Sequence, residues 1–251
     1  MVFVKYKKYG LIVGHLWFCD SNSDIKNVDI LYAHGQNENS GGALQNTLIT
    51  DLTQSEDDLY RKIRKNYRYE IRRAGKENIQ LNFYSAKEMR GRKKLLSAFA
   101  NTYNQMYKSK GLHVRFNLPL VEQYMEENAI CFTIAFSDGV PLVFHSYIID
   151  ECNTRFFYSA SPFRVEQELA GRIGCMNKAL HWFDLKLFKN KGIRTYDWGG
   201  IADFESPNGI DRFKMGFGGT PRTYYNRISG CSLIGKSALL AARIKAYFFK
   251  E

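Results

Sequence analysis

The sequence predicts an α+β fold in which a mainly antiparallel sheet is flanked by helices. The strands "CFTIAF" and "VPLVFHSYII" flank "SDG", and Asp138-Gly139 is suited to the tight turn of a hairpin. Long helical patterns over 55–76 and about 168–190 stand on either side of these strands. Because consecutive strands are joined by hairpins, a doubly wound parallel sheet is excluded.

The remaining elements follow from local patterns along the chain. Short strands, "VFVKY", "LIVGHLWF" and "VDILYA", open it, and the polar loop 34–42 is the best internal boundary. We therefore predict an N-terminal strand extension over 1–46 and one domain over 47–251. The other expected elements are helices at about 87–110, 119–128 and 237–250, and strands at "TRFFYSAS", "IRTYDW" and "RTYYNRI".

Charge is the most informative feature of the composition. The chain has 36 Lys and Arg against 25 Asp and Glu, a formal net charge of +11, which favours polyanionic partners, although a basic surface also serves solubility. Its five cysteines are scattered, which argues against disulfides and a structural zinc site. Its histidines are scattered too, so we expect no metal. No apolar run reaches the ~20 residues of a membrane span and no signal peptide is evident, so we expect a cytoplasmic protein.

The segment 55–76 concentrates much of the positive charge. Ser55 and Asp58 fit a helix N-terminus, and one face is apolar at helical spacing. That apolar face comprises Leu59, Ile63, Tyr67, Ile71 and Ala74. The other face carries Arg61, Lys62, Arg64, Lys65, Arg68, Arg72, Arg73 and Lys76. This face is either a surface that contacts phosphates or a solvated helix face.

One motif resembles a nucleotide-binding loop in sequence. "GCSLIGKS" (230–237) matches the P-loop pattern, in which backbone amides wrap a phosphate. Leu233 and Ile234 are bulky where the loop must stay close to that phosphate, and little chain follows Ser237. We therefore expect a turn before the terminal helix, and an ATPase is a minor alternative.

Two glycine-rich stretches are the strongest candidates for a site: "YDWGGI" (196–201) and "NGIDRFKMGFGG" (208–219). Asp197 among aromatic residues is either a structural anchor or functional. If 212–214 is extended, Arg212 and Lys214 point to the same face, where two cations suit a phosphate or a developing oxyanion. The alternative is a structural turn with two solvated cations.

Several blocks together resemble a known family. "DLTQSEDDLYRKIRKNYRYEIRRAGKENI", "DGVPLVFHSYIID", "YSASP", "KGIRTYDWGGI" and "GIDRFKMGFGG" resemble one GNAT-like domain of the Fem family, the aminoacyltransferases that build peptidoglycan cross-bridges. The resemblance covers about residues 47–230. It implies a GNAT-like fold and acyl transfer to an amine, without a metal or a covalent enzyme intermediate. It also implies that Phe213 and Lys214 lie at the acyl-transfer site, where the lysine stabilises charge.

The resemblance leaves the donor open. Fem enzymes use aminoacyl-tRNA and have two GNAT-like halves, whereas this chain has one. Ordinary GNAT enzymes bind acyl-CoA with Q/R-x-x-G-x-G/A at a helix start, where backbone amides face phosphate. "QELAGR" keeps Gln167 but replaces both glycines, with Ala170 and Arg172. We expect no tightly bound cofactor, aminoacyl-tRNA or acyl-CoA as co-substrate, and an amine-bearing glycan or peptide as acceptor. Transient association with the inner membrane surface is kept open.

The predicted site combines both lines of reasoning. The catalytic residues are Lys214, Phe213 and Asp197. The residues expected to bind substrate are Arg212, Tyr196, Trp198, Gly199, Gly200, His145, Gln167 and Arg172. The residues expected to bind phosphate or nucleic acid are Arg61, Arg64, Lys65, Arg68 and Arg72.

Two questions stay open at this point. The general base could be His145, Asp197 or Glu205, or the amine could lose its proton to water or to the donor. A non-catalytic module that binds nucleic acid or an anionic glycan is the alternative function.

Overall fold

The chain divides into two compact units. The computed structural model describes residues 1–19, 25–37 and 41–248, with 243–248 described by their backbone alone. The smaller unit joins Met1–Asn46 to Thr223–Glu251, and the larger unit is Thr47–Arg222. The domain boundaries 1–46 and 47–251 stay a prediction. The larger unit starts where the predicted domain starts, whereas the chain after Arg222 groups with the N-terminal strands.

The element bounds largely follow the local patterns of the sequence. The strands of the described residues are β1 Val2–Lys8, β2 Leu11–Trp17, β3 Ile30–Gln36, β4 Ala43–Asp51, β5 Ile79–Ser85, β6 Ile130–Ser137, β7 Val140–Ile149, β8 Asn153–Ala160, β9 Thr195–Ile201 and β10 Thr220–Gly230. The helices are α1 Glu56–Lys62, α2 Lys65–Ala74, α3 Ala86–Arg90, α4 Lys93–Lys108, α5 Leu118–Glu126, α6 Ala170–Asn190, α7 Gly209–Met215 and α8 Leu233–Phe248. Part of the predicted loop 34–42 (residues 38–40) and the end of the predicted last helix (249–250) lie outside the described residues.

The sheet pairings are mostly antiparallel, as predicted. In the larger unit the strand order is β4-β9-β8-β7-β6-β5. The predicted β6–β7 hairpin is confirmed, and Asp138 and Gly139 both have positive φ (52° and 79°), the conformation that its two-residue turn requires. β8 and β9 are parallel and are joined through α6. In the smaller unit β1 and β2 are antiparallel, β2 and β3 parallel, and β3 and β10 antiparallel.

The core of the larger unit is aromatic and lies between helices and sheet. The predicted apolar face of the segment 55–76 is buried throughout, at Leu59, Ile63, Tyr67, Ile71 and Ala74. It packs with residues of α6, β9 and the chain after α7. These include Leu185, Phe188, Tyr196, Trp198 and Phe217. Burying a large aromatic side chain stabilises the fold by about 1.5–3 kcal/mol, so this cluster fixes the elements around it.

Three local predictions were wrong. The segment predicted as one helix at about 87–110 is two helices, α3 and α4, separated at Gly91 and Arg92. The segment 55–76 is not one helix: it breaks after Lys62, where the backbone N–H of Arg64 donates to the carbonyl oxygen of Gly216 at 2.9 Å. The segment 212–214 is helical, not extended. Residues two apart on a helix point in different directions, so Arg212 and Lys214 do not share a face.

The P-loop-like segment "GCSLIGKS" is a turn before α8. Its amide groups already donate within the chain: Cys231 to the carbonyl of Asp29 at 2.8 Å, Gly235 to the hydroxyl of Ser232 at 3.0 Å, and Lys236 to the carbonyl of Ser232 at 2.9 Å. The carboxylate of Asp29 accepts from the same serine hydroxyl at 2.5 Å. A phosphate here would lose its amide donors and meet a negative charge. None of the described helices is both long and apolar enough to cross a membrane.

Candidate active site

The larger unit contains a cavity of about 510 Å³. β8 and β9 pair over Asn153–Arg155 and Thr195–Asp197, and the residues beyond this ladder line the cavity. α4, α6 and α7 supply the other walls. The "YDWGGI" stretch and the "RFKM" stretch therefore meet, at Gly199, Gly200, Phe213 and Lys214.

Lys214 extends from α7 into this cavity. The helix begins at Asn208, whose side chain accepts from the amide of Asp211 at 3.1 Å, and the Asp211 carboxylate accepts from the amide of Asn208 at 3.2 Å. This capping box fixes the start of a short helix. The Lys214 ammonium donates to the carbonyl oxygen of Gly200 at 2.7 Å. Burial, and then the nearby Arg155 guanidinium, lower the pKa of Lys214 to about 8.

Gly199 leaves space that any other residue would fill. Its φ is +73°, and a Cβ atom there would lie 3.0 Å from the Phe156 carbonyl oxygen and 3.8 Å from Nζ of Lys214. A side chain would be strained by the backbone and would crowd the ammonium. The glycine therefore keeps the surroundings of Lys214 open.

Asp197 is a structural anchor beneath this glycine. Its carboxylate accepts from the Thr47 hydroxyl at 2.5 Å and from the Gly199 amide at 2.8 Å, and it forms a buried ion pair with Arg155. The side chain is buried and does not line the cavity. Its predicted catalytic role stays a prediction, whereas the structure shows what it holds: the backbone turn at Gly199.

The charges that line the cavity are all positive. The lining residues include Lys110, Arg164, Lys178 and Lys214 and no Asp or Glu. Lys178 is paired with Glu70 at 2.7 Å. Lys110 is not paired with an acid in the described part of the chain; burial and the proximity of Arg164 lower its pKa. A cavity with several cations and no carboxylate favours an anionic ligand or a reaction that develops negative charge.

A buried hydrogen-bond network adjoins the cavity through His181. Nδ1 of His181 is 3.3 Å from the Tyr196 hydroxyl, which is 3.0 Å from the Tyr147 hydroxyl, and Tyr147 donates to Asp184 at 2.5 Å. His145 is 2.8 Å from the same carboxylate. Burial lowers the pKa of His181 well below its ordinary value, so its ring is neutral at pH 7.

The network can carry protons but offers a poor metal site. The ligand atoms of His145, His181 and Asp184 lie within 4.8 Å of one another, a spacing compatible with a metal ion. However, both ring nitrogens of His145 already have partners, Asp184 and Asn177, the latter at 2.9 Å. His181 and Asn177 both line the cavity, so the network reaches the cavity wall at two points.

The structure does not bring every predicted site residue to the cavity. Tyr196 and Trp198 are fully buried, and His145 is enclosed in the network. Arg212 is exposed and donates to the Pro207 carbonyl at 2.7 Å. Arg172 forms ion pairs with Glu77 and Asp138. Gln167 lies in a single 3₁₀ turn before α6. Their substrate-binding roles stay predictions.

The predicted phosphate-binding residues of α1 and α2 also lie outside the cavity lining. Arg61, Arg64, Lys65 and Arg72 are exposed, and Arg68 is half-buried. Glu205, a predicted general-base candidate, is exposed and does not line the cavity either.

Sequence reasoning missed His181, Lys178 and Asn177 on α6 and Lys110 after α4. A signal existed for the first three: "NKALHWFD" places polar residues at i, i+1, i+4 and i+7 within an otherwise apolar helix. Polar residues on a buried helical face need partners, so they mark a network or a site. No local signal marked Lys110, because only the tertiary structure brings α4 to the cavity.

The comparisons with known proteins agree with this architecture. No family model matches the chain, and none of the curated proteins does. Among solved structures, FemX has a TM-score of 0.57 at 14% identity, covering 77% of this chain and 62% of its own. L-PGS from Bacillus licheniformis has a TM-score of 0.53 at 13% identity, covering 86% of this chain and 72% of its own. The C-terminal domain of a proposed lysylphosphatidylglycerol synthetase from Agrobacterium fabrum has a TM-score of 0.54 at 11% identity, covering 86% and 72%.

These structural neighbours establish the fold. The chain has a GNAT-like fold related to that of the Fem proteins, and the predicted resemblance is confirmed at this level. The predicted fold class, a mainly antiparallel mixed sheet with flanking helices, is confirmed too. The chain spans less than two thirds of FemX, so it corresponds to part of that protein.

Proposed function

We propose that the protein is an acyltransferase that moves an aminoacyl or acyl group onto an amine of a cell-wall or surface-glycan precursor. One observation carries this proposal: the Lys214 ammonium is held by the Gly200 carbonyl inside a cavity whose lining has cations and no carboxylate. The fold, which is shared with FemX, supports the same chemistry. Residues 199–200 and 213–214 supply the reacting centre.

The reaction needs a group that stabilises an oxyanion. The amine nitrogen attacks the carbonyl carbon of the donor, and the carbonyl π electrons move to oxygen. The Lys214 ammonium faces that charge in a site partly withdrawn from water, where a fixed donor is worth about 3–4 kcal/mol. The tetrahedral intermediate then breaks its bond to the ribose oxygen of a tRNA or to the sulfur of CoA, and the leaving atom takes the proton that the attacking nitrogen, now positively charged, gives up.

His181 is our candidate for taking the proton of the attacking ammonium. It is the neutral ring at the cavity wall, and its low pKa means that a proton cannot remain on it. Onward transfer through the hydroxyls of Tyr196 and Tyr147 to the Asp184 carboxylate removes this difficulty, because each hydroxyl gives one proton as it receives one. Asp184 ends the sequence protonated and regains its charge by the reverse path.

The donor is tested first by binding. Either aminoacyl-tRNA or acetyl-CoA, added in excess, raises the melting temperature if the native protein binds it, since a ligand that binds only the folded state stabilises it. We favour aminoacyl-tRNA because both phosphate-binding glycines of the CoA pattern are replaced in "QELAGR". Stabilisation by acetyl-CoA alone would reverse this preference.

The chemistry is tested with Lys214→Ala. Transfer of a labelled acyl group from the stabilising donor to an amine-bearing cell-wall peptide should slow by about 10²-fold or more, with donor affinity nearly unchanged. Lys87→Ala is the control, since it removes an exposed cation of α3 that does not line the cavity, and it should leave the rate within about threefold. Equal rates for the wild type and Lys214→Ala would refute the proposed role.

The alternative function is a non-catalytic module that binds nucleic acid or an anionic glycan. Its support is the exposed cationic face of α1 and α2, which lies outside the cavity. Such a module would show no acyl transfer with either donor, and its affinity would fall steeply with salt. In that case Arg64→Ala and Arg72→Ala would weaken binding, whereas Lys214→Ala would not.

A further inference from the structure

Exposed apolar side chains are concentrated on two loops that reach the cavity. The mouth loops, as we call residues 109–117 and 161–169, expose Leu112 (49%), Val114 (44%), Phe163 (49%), Val165 (49%) and Leu169 (37%). A single exposed apolar residue is ordinary for a protein surface, but several on adjacent loops mark a place of interaction.

The two mouth loops approach each other at Lys110 and Arg164, and the first loop is anchored by Phe116. Lys110 and Arg164, one from each loop, both line the cavity, and they are close enough for Arg164 to lower the pKa of Lys110. Phe116 anchors the first loop against Tyr103 of α4 and Tyr158 of β8, with ring centroids 5.6 and 5.0 Å apart. Lys110, Phe163 and Arg164 therefore bring both loops to the cavity, and the other exposed apolar residues lie within five positions of them in sequence.

The first mouth loop and the last residue of α4 combine apolar and positive residues. "KSKGLHVR" contains Lys108, Lys110 and Arg115 and no acid, and Leu112 and Val114 lie between Lys110 and Arg115. The second loop adds Arg164 and the exposed carboxylates of Glu166 and Glu168, so positive charge still predominates over the two loops and Lys108. Aliphatic residues next to lysine and arginine suit the interface of an anionic membrane, in which the chains enter the headgroup region and the cations meet lipid phosphates.

Nucleic acid fits this surface less well. Sequence-tolerant binding of single strands uses aromatic rings on which bases stack, and only Phe163 among the five exposed apolar residues of the mouth loops offers one. The four aliphatic side chains gain more from a lipid interface, where burying each methylene is worth about 0.8 kcal/mol.

We propose that the mouth loops dock on an anionic lipid bilayer, with Leu112, Val114, Phe163 and Val165 entering its interface. Docking places the opening of the cavity at the membrane surface, next to acceptors that are held in the bilayer. The proposal goes beyond acyl transfer and does not depend on it, because the loops bind lipid whether or not Lys214 acts on a carbonyl.

Vesicle sedimentation tests the proposal directly. The wild type should sediment with vesicles of phosphatidylcholine and phosphatidylglycerol at low salt, and much less with phosphatidylcholine alone. Leu112→Ser combined with Val165→Ser should weaken binding to the mixed vesicles about tenfold or more. Lys108→Ala and Arg115→Ala should each weaken it about fivefold.

The controls separate lipid docking from misfolding and from catalysis. Val140→Ser removes an apolar side chain that is 55% exposed on the β6–β7 hairpin and should bind vesicles like the wild type. All variants should keep the wild-type melting temperature, because the altered residues are exposed. Lys214→Ala should keep full vesicle binding even where it abolishes acyl transfer.

Three results would overturn the proposal. The first is no sedimentation of the wild type with the mixed vesicles at low salt. The second is equal binding of the wild type and the variant that combines Leu112→Ser with Val165→Ser, which would mean that another surface meets the lipid. Protection of the mouth loops by tRNA, with no vesicle binding, would make nucleic acid their partner.

Discussion

The contact between the end of α7 and α2 sets the position of Lys214. Gly216→Ala adds a single carbon atom, Cβ, at this contact, because Gly216 caps α7 and faces Tyr67 of α2. A Cβ atom on residue 216 would lie 2.7 Å from Cζ of Tyr67, and closer still to Cε2 of that ring. The backbone of Gly216 has φ −64°, which any residue adopts, so the effect is steric alone. Tyr67 is buried and cannot move aside freely.

The magnitude follows from two opposing effects. Overpacking a filled core costs about 1–3 kcal/mol. Replacing glycine by alanine reduces the entropy of the unfolded chain and offsets about 0.4–1 kcal/mol of that cost. We therefore expect a net loss of about 1–2 kcal/mol, or a melting temperature about 2–8 °C lower for a domain of this size.

Gly171→Ala is the matched control, because residue 171 lies in α6 and a Cβ atom there meets nothing within 4 Å. It should leave the melting temperature unchanged or raise it slightly, since only the unfolded-state effect operates. Tyr67→Leu should rescue Gly216→Ala in the double variant, measured by urea or thermal unfolding. If Gly216→Ala is as stable as the wild type, α7 does not approach α2 as closely as described, and the position of Lys214 must be revised.

Three further predictions concern the candidate site and the P-loop-like segment "GCSLIGKS". Acyl transfer should decline above pH 8 in a pH–rate profile. Because the pKa of Lys214 is lowered to about 8, its ammonium loses a proton at a lower pH than an ordinary lysine does. A rate that rises steadily to pH 10 would contradict the oxyanion role. Tyr196→Phe should lower kcat about 10²-fold without changing KM, whereas Tyr124→Phe, which removes a buried hydroxyl elsewhere, should not; equal effects on both would make the network structural only. Neither the wild type nor Lys236→Ala should bind ATP in calorimetry. If the wild type binds ATP and Lys236→Ala does not, the segment "GCSLIGKS" is a working P-loop.

The structure gives different weight to the two glycine-rich stretches. Gly199 of "YDWGGI" lines the cavity and leaves space beside the Lys214 ammonium. Gly216 of "FKMGFGG" instead allows close packing against an aromatic ring. Both stretches serve one site, but only the first of these glycines lines the cavity wall.

Local patterns were sufficient for much of the fold. The Asp138-Gly139 turn and the apolar spacing over 55–76 could be predicted because each depends on neighbouring residues: a turn on its own φ angles, a helix on its own periodicity. The block "RFKMGFGG" pointed to Lys214 through its two cations and through its resemblance, although the extended backbone assumed in the first argument was wrong. The helix that carries it was missed because its seven residues are too short for a periodic signal, and a capping box defines its start.

The chemistry of the site depends on residues that are distant in sequence. Thr47 and Arg155 hold Asp197 from 150 and 42 positions away, and His181 meets the Tyr196 hydroxyl through folding alone. The amino-acid sequence by itself determined where most strands and turns lie, because those properties follow from adjacent residues. Only the tertiary structure decided which carboxylate became an anchor, which histidine reached the cavity, and which loops contribute to its lining, because burial and proximity arise when remote segments pack together.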